Sequence, residues 1–135
     1  MPQPDSPGYL RLRKISVHEH DNQIYKVALK WRAGSTAETL IEFAADTDWG
    51  ASAEEGAYDR HNNVIAIETS QPTDPAATGI GGFKVYLHDG SEETFGTFGT
   101  SDGRQDLDGP IIGLNIQKDS NYILKMRFIY DECFC

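Results

Sequence analysis

The sequence predicts an all-β domain, and three observations carry that prediction. Apolar and polar residues alternate with period two in several runs. Turn signals rich in Gly, Asp and Pro separate those runs. No stretch keeps a helical period for more than about two turns. Short strands of this kind build a sandwich, a barrel or a prism.

In chain order, residues 10–17 form a first, weaker strand pattern. Tyr25, Val27, Leu29 and Trp31 then alternate with Lys26, Ala28 and Lys30. Residues 39–43 and 64–69 are again weaker candidates. Phe83, Val85 and Leu87 share a face opposite Lys84, Tyr86 and His88, and Asp89-Gly90 follows where a two-residue primed turn is expected. "PIIGLNIQ" is joined through the polar turn "KDSN" to the longest run, in which Tyr122, Leu124, Met126, Phe128 and Tyr130 form the predicted apolar face. Residues 44–63 and 70–82 lack strand character, and loops of that length in a small domain carry function or are poorly ordered.

The 135 residues make one domain, 1–135, with residues 1–8 expected to be flexible. The formal charge is −9, from 12 Lys and Arg against 21 Asp and Glu. That balance weighs against nucleic acid and anionic membranes as partners and favours a neutral, zwitterionic or cationic ligand. A homo-oligomer is left open. No apolar run reaches the roughly 20 residues that span a bilayer, and no leader pattern opens the chain. Cys133 and Cys135 lie too close together for an unstrained bridge and read as reduced thiols. A cytoplasmic setting is therefore expected, a secreted mature form being the alternative.

In "HEHD", residues 18–21, His18 and His20 share one face of a strand and could chelate one ion. A zinc site needs a third protein ligand, and His61 and His88 lie in no spacing motif that supplies one. The row reads more economically as the solvated face and end of a hairpin arm, so no metal is expected. "DGRQDLDG" lacks the order and closing Glu of a calcium loop and reads as a solvated acidic loop. No nucleophile elbow or phosphate loop is present, and no cofactor is expected.

Three stretches resemble the jacalin-related lectin domains. "ISVHEHDNQIYKVALKWRAG" is similar to that family's opening hairpin, and "GIGGFKVYLHDGSEETFGTFG" to its central hairpin with an aromatic-Gly element. "GPIIGLNIQKDSNYILKMRFIY" resembles its final strand pair. The resemblance implies a β-prism of three antiparallel four-stranded sheets around a shared apolar axis, and sugar binding without metal or catalysis. The family's Gly-Xaa-Xaa-Xaa-Asp before the last strand is not matched, because Ser120 and Leu124 stand at those two positions. The glycine-rich start is reduced to Gly8. A carboxylate would have to come from Asp119 or Asp74 instead.

The leading expectation is therefore a carbohydrate-binding prism, with Asp119, Ser120, Asn121, Tyr122, Trp49 and Asp74 as ligand-binding residues. Polar side chains of the "KDSN" turn and of the 70–82 loop would bond sugar hydroxyls, and Tyr122, Trp49 or Tyr58 would offer a ring face. Tyr122 also reads as the start of a core face, whereas Trp49 stands out as a large aromatic in a polar loop. The alternative expectation is a small-molecule enzyme of isomerase or cyclase type, with Asp46, Asp48 and Glu54 as acids under a Trp49 lid.

Overall fold

The runs of alternating residues become strands wherever one face can be buried. The computed structural model describes residues 10–33, 38–59 and 62–131. Residues 1–8 (Gly8 among them), His61, Cys133 and Cys135 lie outside the described residues. Ten strands follow in order: β1 (Leu10–His20), β2 (Gln23–Ala33), β3 (Glu38–Ala44), β4 (Glu54–Ala57), β5 (Val64–Ser70), β6 (Gly82–Leu87), β7 (Glu92–Gly96), β8 (Ser101–Asp106), β9 (Ile111–Lys118) and β10 (Ile123–Tyr130). Among the described residues there is no helix.

The strands form three antiparallel sheets, ordered β3-β2-β1-β4, β7-β6-β5-β8 and β10-β9. Each turns its apolar face to a common axis. The first sheet contributes Ile15, Val17, Val27 and Leu29, the second Ile67, Phe83 and Val85, and the third Ile123 and Phe128. Phe83 sits where the second and third sheets meet, its ring 5.2 Å from Phe95 and 6.1 Å from Phe128. Two polar side chains stitch sheet to sheet. Trp31 Nε1 donates to the Ile111 carbonyl at 2.8 Å. The Gln105 amide bonds both backbone groups of Phe128, at 2.8 and 3.2 Å, as a neighbouring strand would. The strongly periodic segments thus pair as their pattern predicts, and Phe83, Val85 and Leu87 are all buried.

The structure departs from the sequence expectations in four places. β4 lies inside the acidic segment 44–63, and β8 covers the first half of the stretch read as an acidic loop. Both are edge strands without a run of large apolar residues, so no apolar alternation marks them; pairing to β1 and β5 holds them in place. The two-residue primed turn is found at Asp21-Asn22, where φ is 51° and 62°. At the predicted position a longer turn forms, with Gly90 alone at positive φ, 92°, and Asp89 accepting from the Ser91 N–H at 2.8 Å. The third sheet has two strands among the described residues rather than the four expected. Finally, a register shift between Ile123 and Lys125 displaces the first two positions of the last run, while Met126, Phe128 and Tyr130 keep the predicted core face. Ile123 is therefore fully buried, Leu124 only half-buried, and Tyr122 stands outside the predicted core face.

Candidate functional site at one pole of the prism

Antiparallel pairing sends every second connection to the same end. The Asp21-Asn22 turn, the 45–53 loop, the 71–81 loop, the 97–100 loop and the 119–122 turn all gather at one pole. Gly82 and Gly96 let the chains close there. A Cβ on Gly82 would meet the Phe95 carbonyl at 2.6 Å, and Gly96 has a φ of 72° besides.

The 119–122 turn is built by its own aspartate. Asp119 Oδ1 accepts from the Asn121 and Tyr122 N–H groups, both at 2.8 Å. Those bonds, the one from Tyr122 foremost, hold its carboxyl below the usual range. The 45–53 loop then docks on the turn. Thr47 donates its N–H to the Ser120 carbonyl at 2.9 Å and its hydroxyl to Asn121 Oδ1 at 3.2 Å. Trp49 Nε1 donates to the Asn121 carbonyl at 3.1 Å, and Lys118 Nζ lies 3.0 Å from Asp46 Oδ1.

Trp49 is not a free-standing platform. Its ring stacks on His20 at 4.1 Å and 7°, and on Tyr122 at 5.8 Å and 13°. This is also the answer to "HEHD". The row is not simply a solvated strand end, because the 45–53 loop covers it. His18 Nδ1 donates to the Ala51 carbonyl at 2.8 Å, the Ala51 N–H donates to the Tyr25 hydroxyl at 2.9 Å, and His20 carries the indole. Glu19 points the other way and accepts from the Thr97 hydroxyl at 3.1 Å. Among the described residues no group of three His, Cys, Asp or Glu side chains is placed to hold a metal ion.

After these bonds are made, several polar groups have no protein partner among the described residues. They are Asp119 Oδ2, Asn121 Nδ2 and the Tyr122 hydroxyl. Burial first, then the charges of the Asp21 and Asp119 carboxylates, push the Tyr122 phenol above its ordinary value. An acceptor, a donor and a hydroxyl around a ring stack are groups suited to a polyhydroxylated ligand.

Of the six residues expected to bind ligand, the structure brings five together: Asp119, Ser120, Asn121, Tyr122 and Trp49. Asp74 sits in the 71–81 loop at the same pole, but its bonds are local, to the Ala76 and Ala77 N–H groups. His20, Asp21 and Thr47 join the cluster without having been singled out for it. The acids of the enzyme reading do not converge. Asp46 is tied to Lys118, and Asp48 caps Gly50 at 2.9 Å and lies 4.0 Å from Lys26. Glu54 lies on β4, beyond β1, and accepts from the Gly96 N–H. Burial raises its carboxyl, and the Glu19 carboxylate adds to this.

No family model and no curated protein sequence matches the chain. Solved structures do. A galactose-specific lectin from Artocarpus hirsuta, in complex with methyl-α-D-galactose, superposes with a TM-score of 0.68 at 10% identity, over 88% of this chain and 90% of its own. Jacalin in complex with melibiose gives 0.68 at 10% identity, over 89% and 91%. Malaysian banana lectin gives 0.62 at 17% identity, over 93% and 87%. The chain has the fold of the jacalin-related lectins. The resemblance drawn from the sequence sets Ser120 and Leu124 against that family's glycine and aspartate before the last strand. Ser120 offers its carbonyl to Thr47, and Leu124 is the extra residue of the β10 register shift. The carboxylate at this turn is that of Asp119.

Proposed function

We propose that the protein is a carbohydrate-binding β-prism that takes a neutral sugar, without catalysis, at the pole of the 119–122 turn. The observation that carries this reading is the set of polar groups on that one turn with no partner among the described residues: Asp119 Oδ2, Asn121 Nδ2 and the Tyr122 hydroxyl. Asp119 is held ionised and so stays an acceptor for sugar hydroxyls. The turn precedes the last strand, where the resemblance to jacalin-related lectins implies the sugar-binding loop. Structural neighbours solved with methyl-α-D-galactose and melibiose give the same reading further support. Asp21 and Asp119 beside Tyr122 disfavour acidic sugars at this pole by like-charge repulsion.

A glycan array probed with the full chain tests the proposal. Retention of one or a few neutral glycans, lost in Asn121→Ala, is the expected result. A folded protein that retains no glycan at all would overturn the proposal.

A further inference from the structure

Half of the chain's cationic side chains, six of twelve, lie on two neighbouring strands: Arg11, Arg13 and Lys14 on β1, and Lys26, Lys30 and Arg32 on β2. Register makes neighbours of them. Arg11 is the cross-strand partner of Arg32, and Lys14 of Lys30. Leu12 and Trp31 face the core, so alternation puts Arg11 and Arg32 on the outer side of the sheet. Arg13 is the extra residue where the register slips between Leu12 and Lys14.

Among the described residues, the lysines of these two strands have counter-charges and two of the arginines do not. Lys14 pairs with Glu55 at 2.9 Å, Lys26 with Glu42 at 3.4 Å, and Lys30 with Glu38 at 3.2 Å. Glu38 is the cross-strand partner of Arg32, yet its carboxylate is engaged by Lys30. Arg13 and Arg32 form no ion pair among the described residues, and the Nε atom of each is buried without an acceptor. Two half-buried arginines thus have no counter-charge among the described residues, in a chain of net charge −9, and they neighbour a third arginine that has a partner of its own. Like charges at neighbouring positions destabilise a sheet, and desolvated donors without acceptors add to the cost.

We propose that this end of the β1–β2 face is an oxyanion site, in which Arg13 and Arg32, flanked by Arg11, take a sulfate or phosphate group. The group arrives as the free ion or as an ester on a saccharide. The planar guanidinium fork matches a tetrahedral oxyanion in two-point bonding, and its charge needs no pH adjustment to persist. The site is separate from the sugar pole. His20 lies nine residues along extended β1 from Arg11, about 30 Å at the usual rise per residue.

The test follows the arginine Nε–H resonances of the isotope-labelled full chain by nuclear magnetic resonance. Sodium sulfate is titrated against a sodium chloride series of equal ionic strength, and a sulfated disaccharide against its unsulfated parent. The expected result is a saturable shift of the Arg13 and Arg32 signals with sulfate and not with chloride. Arg32→Gln should weaken binding at least tenfold, and Arg32→Lys, which keeps the charge without the fork, should weaken it by the same order. Arg127→Gln should leave it unchanged. Tighter binding of the sulfated disaccharide than of sulfate supports an ester ligand, and equal affinity supports the free ion. Shifts that follow ionic strength alone, or equal losses in Arg127→Gln and Arg32→Gln, would overturn the site. Neither outcome bears on glycan retention at the other pole, so the two proposals fail separately.

Discussion

Replacing Trp49 with Ala removes the clamp that joins the 45–53 loop to the 119–122 turn. Three contacts go at once: the stack on His20, the looser stack on Tyr122, and the Nε1–H bond to the Asn121 carbonyl. Ring pairs contribute about 0.5–1.5 kcal/mol each, and a hydrogen bond a similar amount. Trp49 is 38% exposed, so values from the lower half of those ranges apply, giving a loss of about 1.5–3 kcal/mol. With a urea slope of about 1.5 kcal/mol per molar, the unfolding midpoint should fall by roughly 1–2 M at unchanged slope. Trp49→Phe keeps a ring for both stacks and loses only the N–H bond, so it should shift about a third as far. Fluorescence is compromised by the substitution itself, so far-ultraviolet circular dichroism is the assay. A Trp49→Ala midpoint within about 0.3 M of the parent would refute the clamp.

Other substitutions test other parts of the account. Phe128→Ala empties the contact with Phe83 at the junction of two sheets and should cost about 3–5 kcal/mol in denaturant unfolding, enough to threaten folding at 37 °C. Asn121→Ala and Asp119→Ala should each weaken sugar affinity roughly 5- to 150-fold by titration calorimetry, because each removes a directed partner of a hydroxyl. Glu54 gives a pH signature. Its carboxyl is raised in the folded chain, chiefly by burial, so the folded state prefers the proton and a stability penalty grows as pH rises above the ordinary carboxyl value. Glu54→Gln keeps an acceptor for the Gly96 N–H and removes the charge. Its Tm should exceed the parent's at neutral pH, and the difference should shrink towards zero in acid, below the ordinary carboxyl value.

Strands that bury a face were legible in the sequence, because burial writes period two into residues such as Tyr25 to Trp31 and Phe83 to Leu87. β4 and β8 were not, since an edge strand such as "SDGRQD" has little to bury and owes its place to partners far along the chain. Tyr122 shows the limit of counting by twos. One extra residue at Leu124 moves it from the predicted core face into the ring stack. The polar turn 119–122 and the outlying Trp49 were both visible as unusual residues, and the cluster they form was anticipated. His20, Asp21 and Thr47 were not placed there, because their membership depends on which connections share a pole. That follows from the full strand count, and two of the strands carried no pattern. The arginine patch was hidden for a different reason. A net charge of −9 says nothing about where the positive charges sit, and only the β1–β2 register assembles them.

The most direct measurement of the central claim is an amide chemical-shift map of the labelled chain, titrated with the best neutral glycan from the array. The account predicts perturbations confined to residues 119–122, 47–49 and 20–22, with Asp74 moving little. Perturbations centred on the opposite pole, or a saturating glycan that leaves the 119–122 turn unmoved, would contradict it.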